Sequence, residues 1–395
     1  MKFIYLVLLL VLSLQTINSQ EIPEAEIYLI TCGPGTETYS VYGHSALRIV
    51  IPEQGSDLAY NWGVFDFDTP NFAWKFAQGR LNYMLGVYPY ERFLRDYFQE
   101  QRWVISQKLN LEKADIERLF RLLEENLKPE NIKYRYDFYY DNCSTRIRDL
   151  IEKAIGEDLL YPPAGARENL QTFRNLTAQY EKGNPWTKMG IDLLIGSPGD
   201  KKASFRDRMF LPVDLKNGLS ELTIRRHGKT IPVLQNPVIV LDFDPPAVNE
   251  KLLKSPLFLL SLLLIIIIIL TGTIRTKAPN RLIDIILFAI LSMLAILMLF
   301  FNFVSDHPQL KWNLNIIWLN PLIIVCLVIL LLRKERLIWF RLIFYVSLIF
   351  LLSIVILPQQ INNAFIPLII ILILRSSVRA GFKWNPLTLP YLTQL

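Results

Sequence analysis

Residues 257–274 read LFLLSLLLIIIIILTGTI, a stretch without a single charge. An apolar run of that length crosses the hydrocarbon core of a bilayer as a helix, whereas a strand or a soluble core helix needs far less. Toward the C-terminus four more apolar segments follow, near 282–304, 316–332, 337–357 and 363–374, the last of them short. The loops between them alternate in charge. Arg275, Lys277 and Arg281 stand in the first, Lys311 with Asp306 in the second, Arg333, Lys334 and Arg336 in the third, and none in the fourth around Pro358 to Asn362. Cytoplasmic loops carry the Lys/Arg excess, so the first and third loops and a tail bearing Arg375, Arg379 and Lys383 are expected in the cytoplasm. Everything before residue 257 is then expected outside.

The other end of the chain points the same way. Met1-Lys2, the apolar stretch FIYLVLLLVLSL and a polar stretch ending Ile17-Asn18-Ser19 have the layout of a secretory signal peptide cleaved near Ser19. The alternative, an uncleaved further helix, is disfavoured by the shortness of that apolar stretch. With no cysteine at the cleavage site, the chain is not itself expected to become a lipoprotein. The expected organisation is a signal peptide at 1–19, an extracytoplasmic catalytic domain at 20–255, a helical transmembrane domain of about five helices at 256–375 and a cytoplasmic tail at 376–395.

Composition removes several other classes. Lysine and arginine number 42 against 36 acidic residues, a net charge of +6, and no basic block of the nucleic-acid-binding kind occurs. No nucleic-acid partner is expected. Three cysteines, Cys32, Cys143 and Cys326, allow at most one bridge, between Cys32 and Cys143. Cys326 lies inside an apolar run and is expected to be inert.

Residues 20–255 mix two periodicities and read as α+β. Alternation marks strands over 26–31, 45–51, 58–67 and 103–109. Helical spacing of Ile116, Leu119, Phe120 and Leu123 predicts a helix over 112–127. A second helix follows Asp141, with Ile147, Leu150, Ile151 and Ile155 on one face, Asp141 or Asn142 as its N-cap and Gly156 at its C-terminal cap. Residues 221–243 read as a hairpin or small meander turning at His227-Gly228.

Of three histidines, His44 opens a strand directly after a glycine-rich loop, in TYSVYGHSALRIVI. Cys143 sits in the first turn of the second helix, in YDFYYDNCSTRIRDLI, where unpaired N–H groups and the helix dipole stabilise a thiolate. A cysteine at a helix start facing a histidine on a strand is the nucleophile and base arrangement of papain-like thiol enzymes. Here the histidine comes first, so the expected fold is a permuted papain-like (NlpC/P60-like) one. A third group orients the imidazole in such sites, and Asn61, on the strand paired with His44, is favoured over Asp66. One histidine and one cysteine lack a metal ligand set, so neither metal nor cofactor is expected. Tyr39, Tyr42 and Asn142 are placed near an oxyanion or substrate, and His307, in the outward loop SDHPQLKWNLN, at a lipid headgroup. Plainer roles compete with each: a Cys32–Cys143 bridge, a structural His44, packing tyrosines, an ordinary interfacial loop for His307. His227 reads as a surface turn residue.

The segments TCGPGTETYSVYGHSALRI, AQGRLNYMLG, YDFYYDNCSTRIRDLI and DHPQLKWNLNIIWLNPL together resemble the Bacteroidota lipoprotein N-acyltransferase family known as Lnb. The likeness runs from about residue 25 to 374 and is carried most specifically by the GHS and DNCST motifs with the membrane loop. It implies a bacterial inner-membrane protein with a periplasmic N-terminal domain. It also implies transfer of a fatty acyl group from a phospholipid to the α-amine of the diacylglyceryl-cysteine that begins a lipoprotein, with His44 and Cys143 at the family's motif positions. Two other readings share the same residues: a membrane-tethered papain-like amidase or peptidase acting on cell-wall peptide, and a non-catalytic membrane assembly factor.

Overall fold

Along EIYLITC, Glu26–Cys32, successive side chains take opposite sides of a sheet: Ile27 and Leu29 enter one apolar core, Ile30 and Cys32 another. The next strand repeats this, with Leu47 and Ile49 on the first side and Ala46 on the second. A sheet covered on both faces reads as a nearly continuous apolar run, and that is the character of these strands. The computed structural model describes residues 24–37, 39–163, 171–245, 252–274, 276–334 and 336–382. The expected signal peptide at 1–19 lies outside the described residues, as does most of the expected tail.

The strands are β1 (Glu26–Cys32), β2 (His44–Ile51), β3 (Ser56–Val64), β4 (Asn82–Pro89), β5 (Val104–Lys108), β6 (Lys133–Arg135), β7 (Leu159–Leu160), β8 (Thr223–Arg226), β9 (Lys229–Pro232) and β10 (Val238–Leu241). Seven form one antiparallel sheet in the order β10-β5-β1-β2-β3-β4-β6. The helices before the membrane segments are α1 (Phe72–Ala77), α2 (Tyr90–Gln99), α3 (Lys113–Leu127), α4 (Cys143–Ile155), α5 (Phe173–Ala178), α6 (Pro185–Leu194), α7 (Phe205–Arg208) and α8 (Pro212–Glu221). Helices α3, α4 and α8 cover one face through Leu119, Ile147, Ile151 and Leu215 packed on Leu47 and Trp62. Helix α2 covers the other with Phe93 and Tyr97. Each such buried side chain contributes about 1.5–3 kcal/mol.

The α+β reading and the two helices expected from periodicity match this architecture; the differences are local. β3 stops at Val64, after a bulge between Trp62 and Val64 at which Gly63 takes φ +94°, so residues 65–67 leave the strand. The 221–243 segment divides. β8 and β9 form a hairpin whose turn residues His227 and Gly228 both take positive φ, whereas β10 leaves it to pair with β5 at the edge of the large sheet. β4 carries no clean alternation, and Gly86 inside it weakens its strand signal; α2, with Tyr90, Phe93 and Tyr97 buried at helical spacing, was not anticipated.

Among the described residues after 255 the helices are α9 (Pro256–Thr273), α10 (Lys277–Leu299), α11 (Asn315–Trp318), α12 (Leu322–Leu331), α13 (Leu337–Ser353) and α14 (Phe365–Arg379). Among the described residues, three stretches are long and apolar enough to cross a membrane: Pro256–Thr273, Ala278–Val304 and Leu337–Ile356. The segment expected over 316–332 is interrupted at Asn320-Pro321, where proline brings no N–H and breaks the helix into α11 and α12. The last helix runs past the expected boundary at 375 to Arg379. Arg375, expected in the tail, is instead buried, donating to Asp284 (2.6 Å) and Thr271 (2.7 Å) and so tying α14 to α10 and α9. A charge in that setting persists only when paired.

The two parts meet at the loop between α10 and α11. Asn313 Nδ2 donates to the Leu193 and Leu194 carbonyls at 2.8 and 2.9 Å, and Gly196 N–H donates to Gln309 O at 2.8 Å. A Cβ on Gly196 would fall 1.9 Å from Lys311 O, so only glycine permits this approach.

Candidate active site

The segment leading into α4 is closed on itself before the helix begins. Asp137 and Asp141 exchange backbone hydrogen bonds at 3.0 and 2.9 Å, and Asp137 Oδ1 accepts from the Tyr139 and Tyr140 amides. Asn142 is then the N-cap: its Oδ1 accepts from Ser144 and Thr145 N–H at 2.9 Å each, and Thr145 Oγ1 accepts from Asn142 N–H at 2.7 Å. Its Nδ2 donates to Phe138 O and Phe210 O at 2.8 and 2.9 Å. The whole Asn142 side chain is thus engaged in holding the turn. Cys143 follows as the first helical residue, buried, and the cap leaves its own N–H free of those bonds. Asp141, whose charge would oppose a thiolate, is held by Arg146 in a two-pronged pair at 2.6 and 2.9 Å.

His44 is set by the opposite device. Gly43 takes φ +82°, and a Cβ there would meet Cys32 O at 2.7 Å, so the GHS motif needs its glycine to turn into β2. His44 Nε2–H donates to Asn61 Oδ1 at 2.5 Å, and Asn61 Nδ2 donates to Tyr88 Oη at 2.5 Å. Asn61 opposes Gly86 in the β3–β4 ladder, so Tyr88, two residues along, is its diagonal neighbour on the same side. With Nε2 occupied, the other ring nitrogen is left for Cys143, which hydrogen-bonds the imidazole. Asp66, the competitor for the orienting role, is exposed and accepts from Asp68 N–H in a turn.

The electrostatics follow from these contacts. Burial pushes the Cys143 thiol up, but the His44 charge and hydrogen bond, the Ser45 amide and the Ser144 hydroxyl outweigh it and hold the thiol below its ordinary value. Burial acts on His44 in the opposite sense, and the Cys143 thiolate with the Asn61 bond carries the imidazole above its ordinary range. Both shifts favour the thiolate and imidazolium forms over the neutral pair. Cys32, beside them, is pushed up by burial and stays a thiol, and all three cysteines are free.

These groups stand on the wall of a cavity of about 420 Å3, within the roughly 300–1,000 Å3 usual for small-molecule sites. Cys143, His44 and Asn61 come together there. Tyr39 is 69% exposed at the rim. Tyr42 lines the cavity, yet its hydroxyl donates to Glu181 at 2.7 Å. His307 is elsewhere: its Nε2 meets Phe76 O at 2.9 Å, at the contact between α1 and the membrane loop. Tyr88, Ser45 and Ser144 join the site without having been anticipated. The pairing of Tyr88 with Asn61 follows from the β3–β4 register once β4 is known; the Ser45–Ser144 contact, 3.2 Å between hydroxyls, needs the packed helix.

An α+β domain carrying a thiol–imidazole pair, joined to a bundle with membrane-length apolar helices, defines a membrane protein whose candidate chemistry lies outside the spans. The chain belongs to the Lnb family: residues 15–179 match the Lnb N-terminal periplasmic domain and residues 248–383 the Lnb transmembrane domain. The N-terminal domain is accordingly periplasmic. Comparisons with curated proteins and with solved structures return no match.

Proposed function

We propose that this protein is a lipoprotein N-acyltransferase: it moves a fatty acyl group from a phospholipid to the α-amine of the N-terminal diacylglyceryl-cysteine of a lipoprotein, through a thioester on Cys143. The observation that carries the reading is the line Cys143–His44–Asn61, with a lowered thiol and a raised imidazole, on the wall of a cavity beside a membrane loop. The arrangement is that of a permuted papain-like thiol enzyme. Its proposed setting is the inner membrane, with five crossings and a cytoplasmic C-terminus, in keeping with the charged loops at 275–281 and 333–336.

In the first step the Cys143 thiolate attacks the carbonyl carbon of a phospholipid ester. The C–O bond breaks, His44 gives its proton to the leaving alkoxide, and a thioester and a lysophospholipid result. In the second the neutral α-amine of the acceptor attacks the thioester. An amide forms, the thiolate leaves, and His44 takes the amine proton, restoring the ion pair. Asn61 keeps the imidazole in plane, and the Cys143 N–H is placed to donate to the oxyanion of each step. Tyr42 and Asn142, with their groups committed to Glu181 and to the helix cap, serve the walls of the site.

The test is a covalent adduct. Purified protein mixed with phospholipid should gain one fatty-acyl mass on the peptide containing Cys143, removable by neutral hydroxylamine. A diacylated lipopeptide with a free α-amine should discharge it, and an N-acetylated one should not. An active preparation with no adduct would remove Cys143 as nucleophile; rapid loss of the adduct to water alone would make the enzyme a hydrolase, as the amidase reading requires.

A further inference from the structure

Helix α1, FAWKFA, exposes its large side chains: Trp74 is 55% and Phe76 51% exposed, and Phe67 just before it 69%. Such a cluster on a soluble surface marks a place that something covers. What lies next to it is the outer end of a membrane span. The Trp74 ring packs on Phe300, at 5.1 Å between centroids, where the stretch Ala278–Val304 finishes in a π-helical turn. The loop that follows holds the end of α1 directly: Ser305 Oγ donates to Ala77 O at 2.8 Å, Asp306 N–H to Gln78 O at 2.8 Å, and His307 meets Phe76 O at 2.9 Å. The Ala77 and Gln78 carbonyls, which a helix end leaves without partners, are thus capped by the membrane domain, and the Phe76 carbonyl, already bonded to Gly79 N–H, gains a second contact. Gly79, at φ +70°, lets the backbones close, since a Cβ there would lie 3.0 Å from His307 N.

From this helix an aromatic track leads inward. Phe72 touches Phe65 at 5.7 Å, Phe65 touches Tyr83 at 5.3 Å and Tyr83 touches Tyr136 at 4.6 Å between centroids. Phe65, Phe76, Tyr83 and Tyr136 line the cavity that ends at Cys143. A series of aromatic side chains therefore leads from the helix that meets the end of a span into the cavity that Cys143 lines.

The geometry points to an acyl-chain subsite with a lateral portal: α1 lies in the membrane interface, and one acyl chain of a bilayer phospholipid passes beside Trp74 and Phe76 to lie along Phe65, Tyr83 and Tyr136. Aromatic residues favour that depth because their rings take the apolar side and their polar edges the headgroup side. The lipid then never leaves the bilayer, and its ester comes to rest near Cys143. His307, expected at a headgroup, also holds α1 through the Phe76 carbonyl. The proposal rests on the acyltransferase reading for the identity of the donor, but its binding site can be tested without turnover.

Full-length protein carrying Cys143→Ala is reconstituted in phosphatidylethanolamine–phosphatidylglycerol vesicles holding a phospholipid with a diazirine at the end of one acyl chain. Photolysis should label peptides spanning 65–83 and 136, and Trp74→Glu should reduce that label at least ten-fold. Label confined to α9–α14 would overturn the portal even if wild-type protein transfers acyl groups. With Cys143 restored, acylation by vesicle phospholipid is compared with acetylation by p-nitrophenyl acetate, a water-soluble donor. Trp74→Glu should lower the ratio of the two rates at least ten-fold. An unchanged ratio overturns the portal, while failure of wild-type protein to acylate Cys143 from phospholipid, with the 65–83 label present, would overturn the acyltransferase reading alone.

Discussion

The end of β1 and the start of α4 bring two buried cysteines to the same end of the sheet, and their chemistry diverges. Cys32 is the direct ladder partner of His44, yet burial beside Tyr97 and Arg102 leaves it a thiol pushed well up. Cys143 is remote in sequence, reaches His44 only through packing, and has its thiol held down. Burial is common to both. The difference lies in what opposes burial: Cys143 has the imidazole, the Ser45 N–H and the Ser144 hydroxyl, whereas Cys32 has only the Arg102 charge and the Tyr97 hydroxyl, which burial outweighs. A charge and a donor beside a thiol do not suffice to activate it; they must outweigh burial, as the imidazole and its companion donors do at Cys143 and Arg102 with Tyr97 do not at Cys32.

The comparison breaks most sharply at Cys143 itself. Cys143→Ser should lower acyl transfer by at least ~10^3-fold, as removal of a nucleophile does, with the protein still folded and inserted. His44→Ala should also abolish transfer and raise the thiol, which can be followed by iodoacetamide alkylation against pH. In the wild type the thiolate exists above the lowered Cys143 pKa and the imidazolium below the raised His44 pKa, so transfer should be bell-shaped between those limits. In His44→Ala the alkylation limb should move up to about 8.5, the value of an unperturbed thiol, or beyond it, since burial is then opposed only by Ser45 and Ser144. A limb that stays put would assign the lowering to the helix start and not to His44.

A smaller effect sharpens it. Asn61→Ala removes the bond that fixes Nε2, and transfer should fall by roughly ten- to a hundred-fold, the usual cost of a misplaced catalytic group. Tyr88→Phe removes only the partner of Asn61 and should cost about 0.5–1.5 kcal/mol of transition-state stabilisation. Equal losses from the two would mean that Tyr88 contacts the substrate as well as Asn61. The smallest change belongs to Cys32. Cys32→Ala should keep transfer intact and lower stability by about 1 kcal/mol, read from denaturant midpoints; a loss of activity equal to that of Cys143→Ser would return Cys32 to the chemistry.

How much of this was legible depends on how local each feature is. Helix α4, its Asn142 cap and Cys143 at its first position follow from a dozen neighbouring residues, and the structure has them there. His44 facing Asn61 was legible because one short turn joins β2 to β3, so the candidates on the second strand were few. Tyr88 was not, because Gly86 blurs β4 and the pairing needs its register. Nor were the second commitments of Tyr42 and His307, which lie with Glu181 and with Phe76, residues distant in the chain. The buried Arg375 read as a tail charge because its partner Asp284 is on another helix.

By itself the sequence determined that this protein belongs in a membrane, since an uncharged run of spanning length is a property of the chain in one dimension. It determined as well which residues could form a thiol–imidazole pair, since the helix cap and the glycine-led turn are set by neighbours. Only the tertiary structure decided that Cys32 becomes the ladder partner of His44 while staying a thiol, and that Phe76 of α1 lines the cavity next to the end of a span. Those outcomes depend on how α4 packs on the sheet and how the loop after α10 grips α1, and packing between distant segments is governed by shape and burial that no local pattern records.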